Sequence, residues 1–361
     1  KVYFNSLVRD ASGQKMSKTK GNVIDPLEVM EEYGTDALRF ALAIMAAPGT
    51  DIAMSPARLE ASRNFCNKLW NASRFVQMNL GAEVTLATDP EFGEAEFWMA
   101  GRLREELTSV TESIEAFRFH DAAERLYHLV YDDFCATYIE LAKVQLQSGT
   151  KAQKAAILHF LDILLRALHP FVPFLTEEIH EAVMVERLPA GEPKLLAQRP
   201  WPIGEALLQA EGGDVTLIPR LQEVLSAFLR LKAEQGVDPA KRVAAFCSLS
   251  ELAPFSDALK SIARLESVTF TQGDLASSTR AVAVVAGGAV ALELAGLKDP
   301  TAEKAKLEKE LAKLEKELEP LRARLADESF VTKAPEAAVA KLRGQAEERE
   351  QRLAQVKALL G

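Results

Sequence analysis

The residues best suited to chemistry lie in one short segment near the start of the chain. Residues 13–22, GQKMSKTKGN, hold three lysines, two hydroxyl side chains and two glycines. Lysine ammonium groups attract phosphate oxygens, and hydroxyl and free backbone N–H groups add hydrogen bonds to them. The segment therefore predicts a phosphate-binding loop, although a lysine-rich loop exposed to solvent is the alternative. It is not a P-loop, because the GxxxxGK[ST] spacing is absent.

Short elements are predicted on either side of this loop. Residues 2–8 have the apolar composition of a strand. After the loop, Asp25 and Pro26 predict the start of a helix, and Gly34 predicts its end. A second short helix follows directly and stops before Pro48. The loop is therefore expected to lie between a strand and two short helices.

The remaining chain divides into three regions with different patterns. Residues 55–204 contain long amphipathic stretches joined by short loops, which predict an antiparallel helical bundle. Residues 205–298 mix helical and strand-like segments, with a tight hairpin at Gly287, and predict a small α/β domain. Residues 299–361 place leucines at spacings of four and three, which predicts an antiparallel coiled-coil hairpin with a bend at Pro320. The predicted fold is mainly α.

Four long helices are predicted in the bundle. The first starts at Ser55–Pro56 and is closed by Gly81. The others span about 94–117, 121–147 and 152–168 by the spacing of their apolar residues. Beyond two prolines a shorter helix is expected to restart with Thr176 as its N-cap.

Composition limits the class of protein. The 361 residues carry a formal net charge of −9, and 48% are hydrophobic, as in an ordinary globular chain. No apolar run approaches the roughly 18 residues that suggest a membrane span. Three widely spaced cysteines, Cys66, Cys135 and Cys247, argue against a disulfide framework or a four-cysteine zinc site and favour a reducing cytoplasm. The first residues lack a signal sequence and an initiator methionine, so we expect the chain to begin inside a longer protein.

The residue order in the loop resembles the signature of a known family. Lys15-Met16-Ser17-Lys18-Thr19, followed by KGNVIDP, closely resembles the KMSKS signature of class I aminoacyl-tRNA synthetases, with threonine where the fifth serine is usual. The resemblance implies that these five residues close over ATP. It also implies that Lys18 is catalytic, because a cation placed there stabilises the negative charge on the departing pyrophosphate.

Other segments resemble the members of this family that charge valine. They are residues 63–76 (RNFCNKLWNASRFV), 133–135 (DFC) with 138–140 (YIE), and 169–179 (HPFVPFLTEEI). Residues 33–40 (YGTDALRF) resemble the helical segment that follows KMSKS in the members that charge branched aliphatic amino acids. His180 departs from the tryptophan expected after the last of these. A C-terminal coiled-coil arm is also a feature of the valine-charging members.

The resemblance gives each region an expected role. Residues 1–54 would end a catalytic domain, 55–204 would be the class I anticodon-binding bundle, 205–298 a connecting α/β domain and 299–361 a tRNA-binding arm. The expected partners are valine tRNA, ATP with Mg²⁺, and L-valine, with no membrane, no protein-bound metal and a cytoplasmic monomer. The isolated chain is expected to be inactive, because no HIGH motif or editing domain is present. The equivalent part of an isoleucyl- or leucyl-type synthetase, or a non-catalytic tRNA-binding module, is the alternative.

Two groups of residues are candidates for contact with tRNA. Arg63, Asn67, Asn71 and Arg74 are spaced to share one helix face, and such side chains hydrogen-bond bases and phosphates. An ordinary solvated face is the alternative. Five basic residues cluster towards the tip of the predicted arm, which could instead be a structural or dimerisation hairpin: Arg322, Arg324, Lys333, Lys341 and Arg343.

Overall fold

A computed structural model describes residues 4, 6–47, 49–273 and 275–294, together with residues 311, 318, 319, 321 and 353. Apart from those last five residues, the predicted coiled-coil hairpin lies outside the described residues, and so do its bend at Pro320 and its five basic tRNA candidates.

The first unit contains a two-stranded parallel sheet and two helices. Strand β1 (Val8–Arg9) pairs with β2 (Ile52–Ala53), and the connection between them contains α1 (Pro26–Tyr33) and α2 (Thr35–Met45). The predicted start and end of α1 are confirmed. Asp25 Oδ1 accepts a hydrogen bond from the backbone N–H of Leu27 at 2.9 Å, and Gly34 ends the helix.

The second unit is the predicted helical bundle. Its helices are α3 (Pro56–Asn79), α4 (Glu94–Glu115), α5 (Phe119–His128), α6 (Ile139–Ser148), α7 (Lys151–Leu168) and α8 (Pro173–Val183). Apolar residues from Ala155 to Leu168 are buried on all sides of α7. A helix that is apolar all round belongs in a core, so α7 is the central helix of this bundle.

Two details of the bundle correct the sequence prediction. The stretch predicted as one helix over 121–147 consists of α5, a π-helical segment at Leu129–Tyr138, and α6. Thr176 is not an N-cap, since α8 begins three residues earlier at Pro173. Proline has no N–H to satisfy and has the φ of a first helical turn, so it starts this helix.

The third unit is the predicted α/β domain. It contains α9 (Leu217–Glu234), β3 (Val243–Cys247), α10 (Ser256–Ile262), β4 (Leu265–Phe270), β5 (Arg280–Val285) and β6 (Gly288–Glu293). The strand order is β4-β3-β6-β5, with β3 and β4 parallel and the other pairs antiparallel. The predicted hairpin joins β5 to β6, and Gly287 there has a φ of +79°.

Helix α9 connects the α/β domain to the bundle. Gln222 Nε2 on α9 donates to Thr137 Oγ1 in the π-helical segment at 2.9 Å. Just before α9, the backbone N–H of Asp214 donates to Glu94 Oε2 at the start of α4, at 2.7 Å. Among the described helices, none has both the length and the apolar composition needed to cross a membrane.

Candidate functional site

The lysine-rich loop is a compact backbone structure. Lys15 pairs with Arg9 in an antiparallel bridge, so the loop folds back on strand β1. Lys18–Lys20 form one turn of 3₁₀-helix, whose N-cap is Ser17. Gly21 ends this turn in the left-handed region with a φ of +67°, where glycine is favoured.

Side chains at the two ends of the loop are hydrogen-bonded to each other. Asn22 Nδ2 donates to Asp10 Oδ2 at 2.8 Å, and Asn22 Oδ1 accepts from the backbone N–H of Ser17 at 2.9 Å. The pKa of Asp10 is lowered, mainly because this amide stabilises the ionised carboxylate. The sequence predicted no role for Asp10 or for the side chain of Asn22. Asp and Asn at the ends of a loop are the signal that could have drawn attention to them.

The loop leaves its cations available. Lys15, Lys18 and Lys20 are exposed, and their ammonium groups make no hydrogen bond or ion pair with residues that the structure describes. Thr19 is also exposed, whereas Met16 and Ser17 are half-buried. Three unpaired ammonium groups on one short loop provide strong local attraction for phosphate oxygens.

The first unit, which carries the lysine loop, is called the loop unit from here on. A buried carboxylate attaches it to the bundle. Asp36, on α2, accepts a hydrogen bond at Oδ2 from the backbone N–H of Leu175 in the first turn of α8, at 2.6 Å. Arg39 Nη2 donates to the backbone oxygen of Pro170 at 3.2 Å. Burial raises the pKa of Asp36, while the Leu175 hydrogen bond opposes that shift. Two of the segments that resemble the synthetase family, YGTDALRF and HPFVPFLTEEI, are therefore in direct contact.

Aromatic packing extends the same attachment. Phe40 on α2 stacks on Phe65 of α3 with ring centroids 4.5 Å apart, and both side chains are buried. Tyr127 on α5 lies against Phe65 at 5.3 Å. The loop unit is thus packed on three bundle helices: α3, α5 and α8.

The structure brings the four predicted tRNA-contacting residues of α3 onto its outer surface. Asn67, Asn71 and Arg74 are exposed, and none makes a side-chain hydrogen bond or ion pair with another described residue. Arg63 is half-buried; its Nη2 lies 3.6 Å from Glu60 Oε1, and its guanidinium lies 5.4 Å from the ring centre of Tyr33. The face therefore presents amide groups and one unpaired cation, with Arg63 held at its edge.

Within the described part of the chain, no three His, Cys, Asp or Glu side chains are placed so that they could hold a metal ion. All three cysteines are free thiols. Burial raises the pKa of both Cys66 and Cys135 to about 12. His180 is completely buried in α8, where burial lowers its pKa.

Comparison with known proteins places these features in families. The anticodon-binding domain of tRNA ligases matches residues 96–247. The class I tRNA synthetases for isoleucine, leucine, methionine and valine match residues 1–55, and the tRNA-binding arm of valyl-tRNA synthetases matches 299–361. The matched segments, which include the loop, most of the bundle and the arm, are thus all similar to domains of one class of protein, the class I tRNA synthetases.

The curated relatives specify the family within that class. The chain is 39% identical to the valine–tRNA ligase of Geobacter sulfurreducens over 95% of its length. It is 36% identical to the enzyme of Dehalococcoides mccartyi and 39% identical to that of Syntrophotalea carbinolica, over 99% of its length in each case. It spans 40–42% of the length of these relatives. Along nearly its whole length, the chain is thus similar to part of the valine–tRNA ligases.

Proposed function

We propose that this chain binds valine tRNA and supplies the lysine loop for the activation of valine by ATP. The whole enzyme would join valine to AMP with release of pyrophosphate, and then transfer valine to the 3′ end of its tRNA in the cytoplasm. The chain would act as part of a monomer. The observation that carries the proposal is the loop with three exposed lysines that have no ion-pair partner among the described residues, followed by helix α2, which packs directly on a helical bundle that matches the anticodon-binding domain in large part.

The loop would act electrostatically. Lys15, Met16, Ser17, Lys18 and Thr19 would lie against ATP, whose phosphates carry the Mg²⁺ that the reaction uses. Lys18 would stabilise the charge that develops on the departing pyrophosphate. Fixed cations placed where charge develops lower the barrier, because they need little reorganisation during the reaction.

Replacing Lys18 tests the role of the loop. In the complete enzyme, Lys18→Ala should lower kcat for valine-dependent ATP–pyrophosphate exchange by about 10²–10³, the usual effect of losing one transition-state donor. Lys20→Ala is the matched control, because Lys20 lies outside the five-residue signature and should have a much smaller effect. Equal losses in both variants would mean that the loop provides only diffuse positive charge. The chain by itself should catalyse no exchange.

The bundle and the arm would hold the tRNA. On the bundle, the exposed face of α3 with Arg63, Asn67, Asn71 and Arg74 would contact RNA, and amide and guanidinium groups suit unstacked bases and phosphates. On the arm, the basic residues near the predicted tip would add contacts: Arg322, Arg324, Lys333, Lys341 and Arg343. We propose the four regions 1–54, 55–204, 205–298 and 299–361 as the corresponding domains.

Binding of the chain to tRNA tests this face. Valine tRNA transcripts with native and altered anticodons would be titrated across a salt series. Arg63→Glu and Arg74→Glu should weaken binding and reduce the salt slope by about one unit per lost phosphate contact. Arg230→Glu on α9 is the control, because it makes the same charge change at another exposed arginine. If all three variants behave alike, α3 has no special role in contacting tRNA.

A further inference from the structure

We propose that Asp10 and Asn22 are positioning residues that clamp the lysine loop in the shape needed for catalysis. The proposal rests on the function given above, since it concerns how Lys15 and Lys18 are held for ATP. Neither Asp10 nor Asn22 needs to touch a substrate in order to act in this way. Each would act through the backbone to which it is hydrogen-bonded.

Asn22 holds three separate points of the loop. Its Oδ1 accepts from the backbone N–H of Ser17 at 2.9 Å. Its Nδ2 donates to Asp10 Oδ2 at 2.8 Å and to the backbone oxygen of Lys15 at 3.3 Å. A single side chain thus fixes the backbone at Lys15 and Ser17, on either side of Met16.

Asp10 connects this arrangement to the sheet. It directly follows β1, and its Oδ1 accepts from the backbone N–H groups of Ser12 at 3.0 Å and Gln14 at 2.8 Å. The backbone N–H of Asp10 in turn donates to the oxygen of Gln14 at 3.0 Å. Asp10 therefore closes the first turn of the loop, and its Oδ2 remains for Asn22. The Asp10–Asn22 clamp joins two residues that are twelve positions apart, with Lys15, Lys18 and Lys20 between them.

The clamp matters because the lysines are not held by anything else described. Their ammonium groups make no ion pair in the described part of the chain. The positions of these side chains are therefore determined by the conformation of the loop backbone. Without the clamp the loop would sample more conformations, and fixing its backbone on ATP binding would cost more conformational entropy. A displacement of about 1 Å in a catalytic group is enough to lower a rate substantially. The clamp would lower the cost of bringing Lys15 and Lys18 to the phosphates.

An exchange of the two side chains provides a sharp test. Asn22→Asp places a second carboxylate against Asp10 and should open the clamp, because the two like charges repel and the amide donor is lost. Adding Asp10→Asn to this variant places the amide donor at position 10 and the carboxylate acceptor at position 22. The hydrogen bond between the two positions can then form again, in the opposite direction. The amide oxygen introduced at position 10 still accepts from Ser12 and Gln14, and its NH₂ faces the new carboxylate. Only the bond to the oxygen of Lys15 is lost.

The state of the loop can be measured on this chain directly. Trypsin cleavage after Lys15, Lys18 and Lys20, followed by mass spectrometry, reports how often the loop opens. Asn22→Asp should raise the cleavage rate about tenfold, as expected for the loss of roughly 1.4 kcal/mol of hydrogen bonding. The double variant should return most of the way to the original rate. Asn64→Asp, the same change on the exposed surface of α3, should leave cleavage in the loop unchanged.

The effect on catalysis is measured in the complete enzyme. Asn22→Asp should lower kcat for valine-dependent ATP–pyrophosphate exchange about tenfold, leave KM for valine unchanged, and regain activity in the double variant. Faster cleavage with unchanged exchange would overturn the positioning role, and so would a double variant that restores the cleavage rate but not kcat. If Lys18→Ala also left exchange unchanged, the proposed function of the loop would fail, while the trypsin comparison would still decide whether the clamp exists.

Discussion

His180 is completely buried in α8, and this burial disfavours the charged form of its imidazole. Arg199, Asp162 and Glu177 are the charged groups around it, and burial together with Arg199 lowers its pKa. The native protein therefore binds this proton less readily than the unfolded chain, in which histidine titrates near pH 6.5. Stability should consequently fall as the pH drops below about 6.5, because protons then favour the unfolded state.

Urea denaturation between pH 7.5 and 5 tests this prediction for His180. His180→Phe should flatten the pH dependence of the free energy of unfolding, because phenylalanine fills a similar volume and binds no proton. His128→Gln is the control, since His128 is exposed and paired with Asp132. An unchanged pH profile in His180→Phe would assign the acid sensitivity to other groups.

Residue types predicted the lysine loop but not the contacts that shape it. Lys15, Lys18 and Ser17 stand out because of their chemistry and their order in the sequence. Asp10 and Asn22 do not, since each is an ordinary polar loop residue until the chain folds back and joins them. A side-chain contact across twelve residues leaves no periodic signal in the sequence.

Among the elements, the contact between α2 and α8 has the clearest energetic consequence. Asp36 accepts a hydrogen bond from an N–H in the first turn of α8, where a helix has unsatisfied donors. Asp36→Ala should lower the free energy of unfolding by about 1–3 kcal/mol, because that buried donor loses its partner. Asp36→Asn keeps an acceptor oxygen and should cost less, as measured by chemical denaturation. Equal losses would show that the charge, rather than the hydrogen bond, is what counts.

The sequence predicted helix boundaries correctly where one specific residue marks the boundary. The prediction was wrong where no residue marks it or where two residues compete. Asp25, Pro26 and Gly34 mark α1 at both ends, and the prediction was confirmed. The π-helical segment at Leu129–Tyr138 has no such mark, because the amphipathic pattern continues through it. At α8 two good starting residues compete, and Pro173 prevails over Thr176, whose hydroxyl instead donates to the backbone oxygen of Val172 at 2.9 Å.

At the scale of the molecule, the three cysteines report on whether the units unfold together. Cys66 and Cys135 lie in the bundle, and Cys247 lies in the α/β domain. Burial raises the pKa of all three thiols, so each should react with a thiol reagent only after unfolding. Because α9 is hydrogen-bonded to the bundle, we expect one common rate, measured by mass spectrometry of the labelled peptides. Earlier labelling of Cys247 would show that the α/β domain opens separately.

The division of the chain into loop unit, bundle and α/β domain followed from changes in its periodicity. The contacts between these units could not be predicted from periodicity, because the residues that form them lie far apart in sequence. They are Asp36 with Leu175, Glu94 with Asp214, and Thr137 with Gln222. Each pair is a local polar contact between residues that no pattern connects. Family resemblance predicted the roles of the units, and the structure shows the contacts that connect them.

The bond between Asp36 and Leu175 also has a consequence for the order in which the protein is made. The two residues are 139 positions apart, and a ribosome adds residues one at a time from the N-terminus. When the lysine loop emerges, the helix that anchors its unit has not yet been synthesised. The loop unit therefore lacks its contact with α8 until the last helix of the bundle has been made. A nascent chain is thus most vulnerable to proteases during that interval, because trypsin-like enzymes cleave after lysines such as those of the loop.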